Sequence, residues 1–466
     1  MLINKSHIKY ILIWLITVLT FWAIQVRGNV GYSGYIFDLE YYLNVADKFY
    51  LDGFSLVRGE PSAVGYLYPL LLGLSHYVDL QLGHDIYLFR LMSSVLYGSA
   101  VVLLIYTYKN FFFIKKENNV KYICLGCSAI ILMLYLFYRG IIVFPLSDLF
   151  ALSLAIISGC FAARYVDENT STWWTVGSGF FAYLAYTTRS VYIITLIGTL
   201  VFFLVNQEKE WKKIVEVTVG YLLGMIIAAV PWIYINYYYS NRITIWVNNE
   251  NRYASQLFWG LEYTRYVAFT GLDQDVQIGG VRFINETGRT LVNIYRQKQS
   301  DVYTVWGYLK LCVSYPVEVA SIVGQHMINA LFPLFPEQYT GDLHKSRLLN
   351  GIMGVGYWYL FTLVASWRIK TKRYTPCQLE WVALMISPSV LTIPGAGEHR
   401  FYLLFYIMAC VAMVFAMLES SFWTYLRDKV VVAIVGGIIF TLITFTVETG
   451  VLASCEYFPI LWINTP

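Results

Sequence analysis

Residues Tyr35 to Gly65 read YIFDLEYYLNVADKFYLDGFSLVRGEPSAVG, and the rest of the chain is arranged around them. Leu39, Tyr42, Leu43, Ala46, Phe49 and Tyr50 recur at helical spacing, Asn44, Asp47 and Lys48 fall elsewhere on the wheel, and Gly53 supplies a stop. A helix of this kind, following a long apolar run, is predicted to lie on a membrane surface. Asp38 stands at its N-terminal edge. Glu40, two residues on, is turned by about 200° if both are helical, so Asp38 is the carboxylate expected to carry the chemistry. Asp is also a common N-cap; Tyr41 stands where a capping box needs Glu or Gln, which removes that form of cap but not the simple one.

Composition sets the class. The chain has 466 residues, 58% hydrophobic and 13% charged, against about 25% charged in soluble domains, which excludes an ordinary water-soluble protein. It reads as an all-α polytopic membrane protein. Aromatics make up 18%, with 40 Tyr and 14 Trp, as suits a protein with much surface at the lipid headgroup level. A net charge of +4 is too small and too scattered for a nucleic-acid partner. Seven cysteines form no disulfide framework, and the C-x-x-C of Cys124 and Cys127 lies inside an apolar run.

Lys and Arg then orient the spans. The first apolar run, about 8–26, is flanked by Lys5 and Lys9, which places the N-terminus in the cytoplasm and residues 27–86 outside. The run 65–78 is short and contains Pro69, so it is expected to be interfacial or re-entrant. That choice keeps Lys109, Lys115, Lys116 and Lys121 inside after a span at 87–108. Further spans are expected at 122–138, 146–164, 173–187, 191–205, 215–238, 350–367, 379–393, 401–418 and 430–452, about eleven crossings in one domain covering residues 1–466. The polar stretch 239–317, within an outer region 239–348, is too long for a passive connector and shows no fold signal. The run 319–335, broken by Gln325 and His326, is expected to return to the outer face. Asn285-Glu286-Thr287 matches a glycosylation sequon.

Ionisable residues gather at the outer ends of these spans: Arg90, Arg139, Asp148, Arg189, and the run Glu398, His399, Arg400. A charge inside hydrocarbon costs roughly 2.5–3.5 kcal/mol, so such groups line a cavity, pair, or snorkel to the interface. Asp148 also sits where a helix start favours a carboxylate.

With those residues in place, the order of elements resembles the GT-C superfamily of polyprenyl-phosphate-sugar glycosyltransferases, in particular glycosyltransferase family 39, which includes protein mannosyltransferases, and the lipid A aminoarabinose transferases. The resemblance is carried by FDLEYYLNVADKFYLDG in the first outer loop, EPSAVGYLYPLLLGL after it, FRLMSSVLYGSAVVLLIY, FPLSDLFALSLAI, AYTTRSVYI, and EHRFYLLFY near the end. It implies a GT-C-type bundle with a cavity on the outer face of the cell membrane. In that cavity Asp38 matches the catalytic carboxylate, Asp148 and Glu40 offer a second acidic position, and Arg90, Arg189, Arg400 and Arg58 would meet the donor phosphate. The chain departs from the pattern where Leu39 separates Asp38 from Glu40, and where Glu60 replaces the expected Lys before Pro61.

The implied reaction moves a sugar from a polyprenyl-phosphate donor to a hydroxyl acceptor of the cell envelope, with inversion. Arginines in a water-poor cleft can stabilise the leaving phosphate, and one carboxylate can take the acceptor proton. His326, His344 and His399 stand apart in sequence; no cofactor is expected, and nothing demands a divalent metal. Two other readings stay open at this level, a polysaccharide polymerase or ligase and a lipid-linked sugar flippase, although a transporter usually carries inverted repeats and charges at mid-membrane depth.

Overall fold

A computed structural model of the chain describes residues 5–28, 42, 45, 65–82, 86–112, 119–144, 146–168, 171–206, 210–247, 250–270, 278–299, 303–331, 348–371, 374–395 and 397–458. Among these, helices dominate. Seven are long and apolar enough to cross a membrane: Ile8–Arg27, Tyr87–Phe112, Val120–Val143, Ser147–Asp167, Trp211–Tyr238, His399–Met417 and Val430–Val451. The remaining expected crossings fall on the helices Trp173–Thr188, Ile193–Asn206, Leu348–Lys370 and Pro376–Thr392, which are 16, 14, 23 and 17 residues long. The helix Leu67–Gln81, 15 residues, is not among the seven; its Pro69 sits in the first turn, where a missing N–H costs nothing.

The chain packs into two compact units, residues 1–132, 141–248 and 374–388 in one, and 133–140, 249–373 and 389–466 in the other. In the first unit, glycines set the closest helix approach. A Cβ on Gly179 would lie 2.1 Å from the Tyr221 carbonyl, and one on Gly224 1.9 Å from that of Val176, so the helices Trp173–Thr188 and Trp211–Ser240 meet backbone to backbone. Both Asp79 carboxylate oxygens accept from the Leu88 N–H at 3.1 Å, one of the N–H groups that a helix start leaves without a partner. Ile86, one residue before the helix Tyr87–Phe112, has φ 51°, and Asp79 is buried.

In the second unit, the polar stretch expected as an outer loop is a folded subdomain. Tyr253, Leu257, Phe258 and Leu261 fall on one face of the helix Glu250–Glu262; they pack on Leu291, Val292 and Tyr295 of Glu286–Gln299 and on residues of Val305–Ser314 and Pro316–Leu331. Beside this core run three antiparallel strands, β1 (Tyr263–Thr270), β2 (Ile278–Ile284) and β3 (Cys455–Phe458), in the order β1-β2-β3. Arg282 of β2 pairs in register with Tyr266 of β1 and with Glu456 of β3, so the sheet binds the end of the last apolar helix to the middle of the sequence.

The sequon is a structural element. Asn285 caps the helix Glu286–Gln299: its Oδ1 accepts from Gly288 N at 2.9 Å, and its Nδ2 donates to Gln325 Oε1 at 2.9 Å.

Candidate functional site

Of the residues proposed for the site, Asp38, Glu40 and Arg58 lie outside the described residues; Asp148, Arg90, Arg189 and Arg400 lie within them. Asp148 occupies the first turn of the helix Ser147–Glu168, and the extended residue Arg189 closes the helix Trp173–Thr188, its N–H donating to the Ala185 carbonyl at 2.9 Å. These two helix ends bring opposite charges together. Arg189 Nη1 contacts Asp148 Oδ1, with side-chain exposures of 19% and 7%. The carboxylate also suits the helix N-terminus, where unsatisfied N–H groups concentrate positive potential.

The first outer loop is fastened on both sides of this pair. Tyr42, four residues after Asp38 in the sequence, is helical and buried, and its hydroxyl lies 2.6 Å from Ser147 Oγ, directly before Asp148. Gly65, at the far end of the same stretch, passes so close to Thr187 that a Cβ there would stand 1.7 Å from its carbonyl oxygen. Only glycine fits that approach, two residues before Arg189. Next along the chain, Tyr66 donates to the Ala228 carbonyl at 2.8 Å, and burial pushes its phenol up to about 12. Tyr42 also meets Tyr68 edge to face at 4.9 Å, and Tyr68 in turn meets Phe89 at 5.4 Å and Phe150 at 5.6 Å. Four elements are thereby locked through one aromatic cluster.

Arg90 is buried, one residue past Phe89 and at the same end of its helix. Beneath its backbone a polar network ties this helix to the first span: Ser94 Oγ donates to the Arg90 carbonyl at 2.6 Å, Gln25 Nε2 donates to Ser94 Oγ at 3.0 Å, and Ser93 Oγ lies 3.1 Å from Gln25 Oε1.

Arg400 belongs to the second unit. Its Nε holds Glu398 Oε2 at 2.6 Å, both residues buried, and its guanidinium lies over the Phe401 ring at 5.3 Å. His399 stacks on Tyr138, centroids 4.6 Å apart and rings 2° from parallel.

The second unit holds further polar residues that sequence reasoning had not placed in a site. Arg265 of β1 is buried at 3% exposure, in the electrostatic field of Glu448, Tyr406, Tyr138 and Tyr402; burial pulls its guanidinium below the ordinary range, and the Glu448 carboxylate opposes that. Glu448 is fully buried, and among the described residues neither its carboxylate oxygens nor the Tyr402 hydroxyl has a hydrogen-bond partner. The signal for Glu448 was legible, since it is the only ionisable residue in the helix Val430–Ala453, and such a residue is a functional hypothesis by default. No comparable signal marked Arg265. His326, also buried, places Nδ1 at 2.8 Å from the Ile393 carbonyl and Nε2 at 3.1 Å from that of Tyr263. An imidazolium could donate to both, but burial opposes the charge and holds the ring's pKa down. Among the described residues no three His, Cys, Asp or Glu side chains come together as metal ligands.

No family model matches this sequence, and no curated protein does. Among solved structures, the oligosaccharyltransferase of Archaeoglobus fulgidus in its apo form aligns with a TM-score of 0.48 and 9% identity, over 96% of this chain and 55% of that one. The chain thus spans about half the length of that protein, and a likeness at this level does not establish a shared fold.

Proposed function

We propose that this multi-pass membrane protein is a glycosyltransferase of the GT-C kind, moving a sugar from a polyprenyl-phosphate donor to a hydroxyl acceptor on the outer face of the membrane. One observation supports the reading: of the stretch that carries Asp38, Glu40 and Arg58 in sequence, the described residues Tyr42 and Gly65 lie against Ser147, next to Asp148, and against Thr187, two residues before Arg189. Asp38 takes the proton of the acceptor hydroxyl as its oxygen attacks the anomeric carbon. The carbon–oxygen bond to phosphate breaks, and the polyprenyl phosphate leaves with the electron pair.

Arg90 and Arg189 stabilise the charge that grows on that phosphate. A guanidinium offers its N–H donors in a planar fork that matches the geometry of phosphate oxygens, and the contact with Asp148 orients that of Arg189. Asp148 is then the residue that aims Arg189. Glu40 and Arg58 are supporting groups of the same loop, and in the second unit Arg400 is held by Glu398.

The test is transfer from a synthetic polyprenyl-phosphate sugar, labelled in the sugar, in vesicles carrying the protein, with mass spectrometry of envelope glycans and glycolipids from cells with and without it. Asp38→Asn is expected to lower transfer about 10² to 10⁴-fold while donor binding persists, the usual contribution of a general base. Retention of more than about a tenth of the rate would exclude that role.

A further inference from the structure

A second feature of the first unit is independent of the transfer reaction. Along the first turns of the helices Trp173–Thr188 and Trp211–Ser240 runs a groove of about 660 Å³, within the range of small-molecule sites. Its walls include Val176, Val215, Val219 and Leu223, and Trp173 and Trp211 stand at its mouth, 77% and 74% exposed. Large exposed indoles beside an apolar trough belong at a membrane–water interface, where one end of the ring is dry and the other wet.

The groove's polar lip carries one charge of each sign. Lys212 and Glu216 both line it, one helical turn apart. The neighbouring Lys213 is committed to Glu210 at 3.9 Å, whereas Lys212 makes no ion pair among the described residues. Glu216 accepts a hydrogen bond from Thr172 Oγ1, across the groove, through one carboxylate oxygen.

We propose that this groove binds a zwitterionic phospholipid with a primary ammonium headgroup, phosphatidylethanolamine, from the leaflet on this side of the membrane. One acyl chain lies along Val176, Val215 and Val219, the phosphate meets Lys212, and the ammonium donates to Glu216 beside the Trp173 and Trp211 rings. An anionic lipid such as phosphatidylglycerol sets a second negative charge near Glu216 with no cation of its own to answer it. Phosphatidylcholine carries a cation that cannot donate a hydrogen bond. Lys212 and Glu216, one charge of each sign on the same lip, therefore select the headgroup as well as the tail.

The experiment is native mass spectrometry of the full chain released from nanodiscs of phosphatidylcholine mixed with equal parts phosphatidylethanolamine and phosphatidylglycerol, counting the lipid of each class retained. Wild type is expected to retain phosphatidylethanolamine in preference to both others. Lys212→Gln should weaken its retention about fivefold, the worth of one basic contact near a lipid surface. Glu216→Gln should abolish the preference over phosphatidylcholine and phosphatidylglycerol, and Val219→Trp, which fills the groove from its lipid-exposed side, should reduce retention of all three. Equal retention of all lipids by wild type, a preference for phosphatidylglycerol, an unaltered preference in both Lys212→Gln and Glu216→Gln, or a second copy of the chain that dissociates in Val219→Trp would each overturn the proposal. Monodisperse elution in detergent shows that each variant is folded, and if Val219→Trp does not fold, the two charge variants decide.

Discussion

Two arginines in the field of a buried carboxylate, one in each unit, meet the same electrostatic problem differently. Asp148 and Arg189 sit at helix ends, touch each other, and keep part of the guanidinium accessible. Arg265 and Glu448 are more deeply buried, at 3% and 0% exposure, and the Glu448 oxygens accept no hydrogen bond among the described residues. Desolvating two charges costs several kcal/mol each, and direct contact with hydrogen bonds is what offsets it. The first pair is therefore a closed arrangement that aims a guanidinium. The second leaves acceptor capacity unused in the middle of a tyrosine cluster.

That contrast breaks most sharply under single substitution. Asp148→Ala leaves the Arg189 charge without its partner, and is expected to destabilise the first unit by about 3–5 kcal/mol, the usual cost of breaking a buried pair. Asp148→Arg combined with Arg189→Asp should recover part of this in thermal melts. Equal stability of Asp148→Ala and wild type would mean that the pair contributes nothing and that Arg189 has no need of it.

The other pair should respond in the opposite direction. Joint replacement, Arg265→Met with Glu448→Leu, removes both charges and the orphaned acceptors; stability is expected to hold or to rise by about 1–4 kcal/mol. A large loss in the same melts would show that Glu448 has found its hydrogen bonds after all, and the contrast between the pairs would vanish.

Arg90 tests whether buried arginines in the first unit act on phosphate or only anchor helices. Arg90→Lys keeps the charge and the ability to snorkel but loses the planar fork, so donor use should weaken about tenfold with expression unchanged, the scale of one charged hydrogen bond. Donor kinetics equal to wild type in both Arg90→Lys and Arg90→Ala would return it to a purely structural place.

The smallest effect expected is at His326. Because burial holds its pKa below the ordinary 6.5, the folded chain keeps it neutral while the unfolded chain takes up a proton. Its contribution is therefore fully present above pH 6.5 and is lost as the pH falls below that value, with a slope of at most about 1.4 kcal/mol per pH unit. Melting temperature measured down through this window should fall more steeply for wild type than for His326→Asn. Parallel curves would show that the ring is already charged in the fold.

What the sequence by itself determined is whatever depends on one dimension. Apolar runs long enough to cross a membrane predict Tyr87–Phe112 or Val430–Val451 without reference to any neighbour, because in a bilayer the backbone must satisfy its own hydrogen bonds within the helix. Asp148 at a helix start and Arg189 between two apolar runs were equally visible, since short-range sequence marks where helices begin and end. Their meeting was not, because it joins the ends of two helices that only packing brings side by side. The same holds for the close approach of Gly65 to Thr187 and for Tyr42 beside Ser147. The stretch 239–317 showed no fold signal in the sequence, and Leu257 and Leu291 meet in one core only in the folded chain. The short strands of that stretch gain a third partner only from β3 at the far end of the last apolar helix. Asn285 matched a modification signal and caps a helix, and Glu448, the one charge in its apolar helix, was passed over in the sequence. Only the tertiary structure decided that Asn285 finds a donor in Gly288 while Glu448 finds none among the described residues, because a hydrogen bond is a fact about two groups and a sequence orders them one at a time.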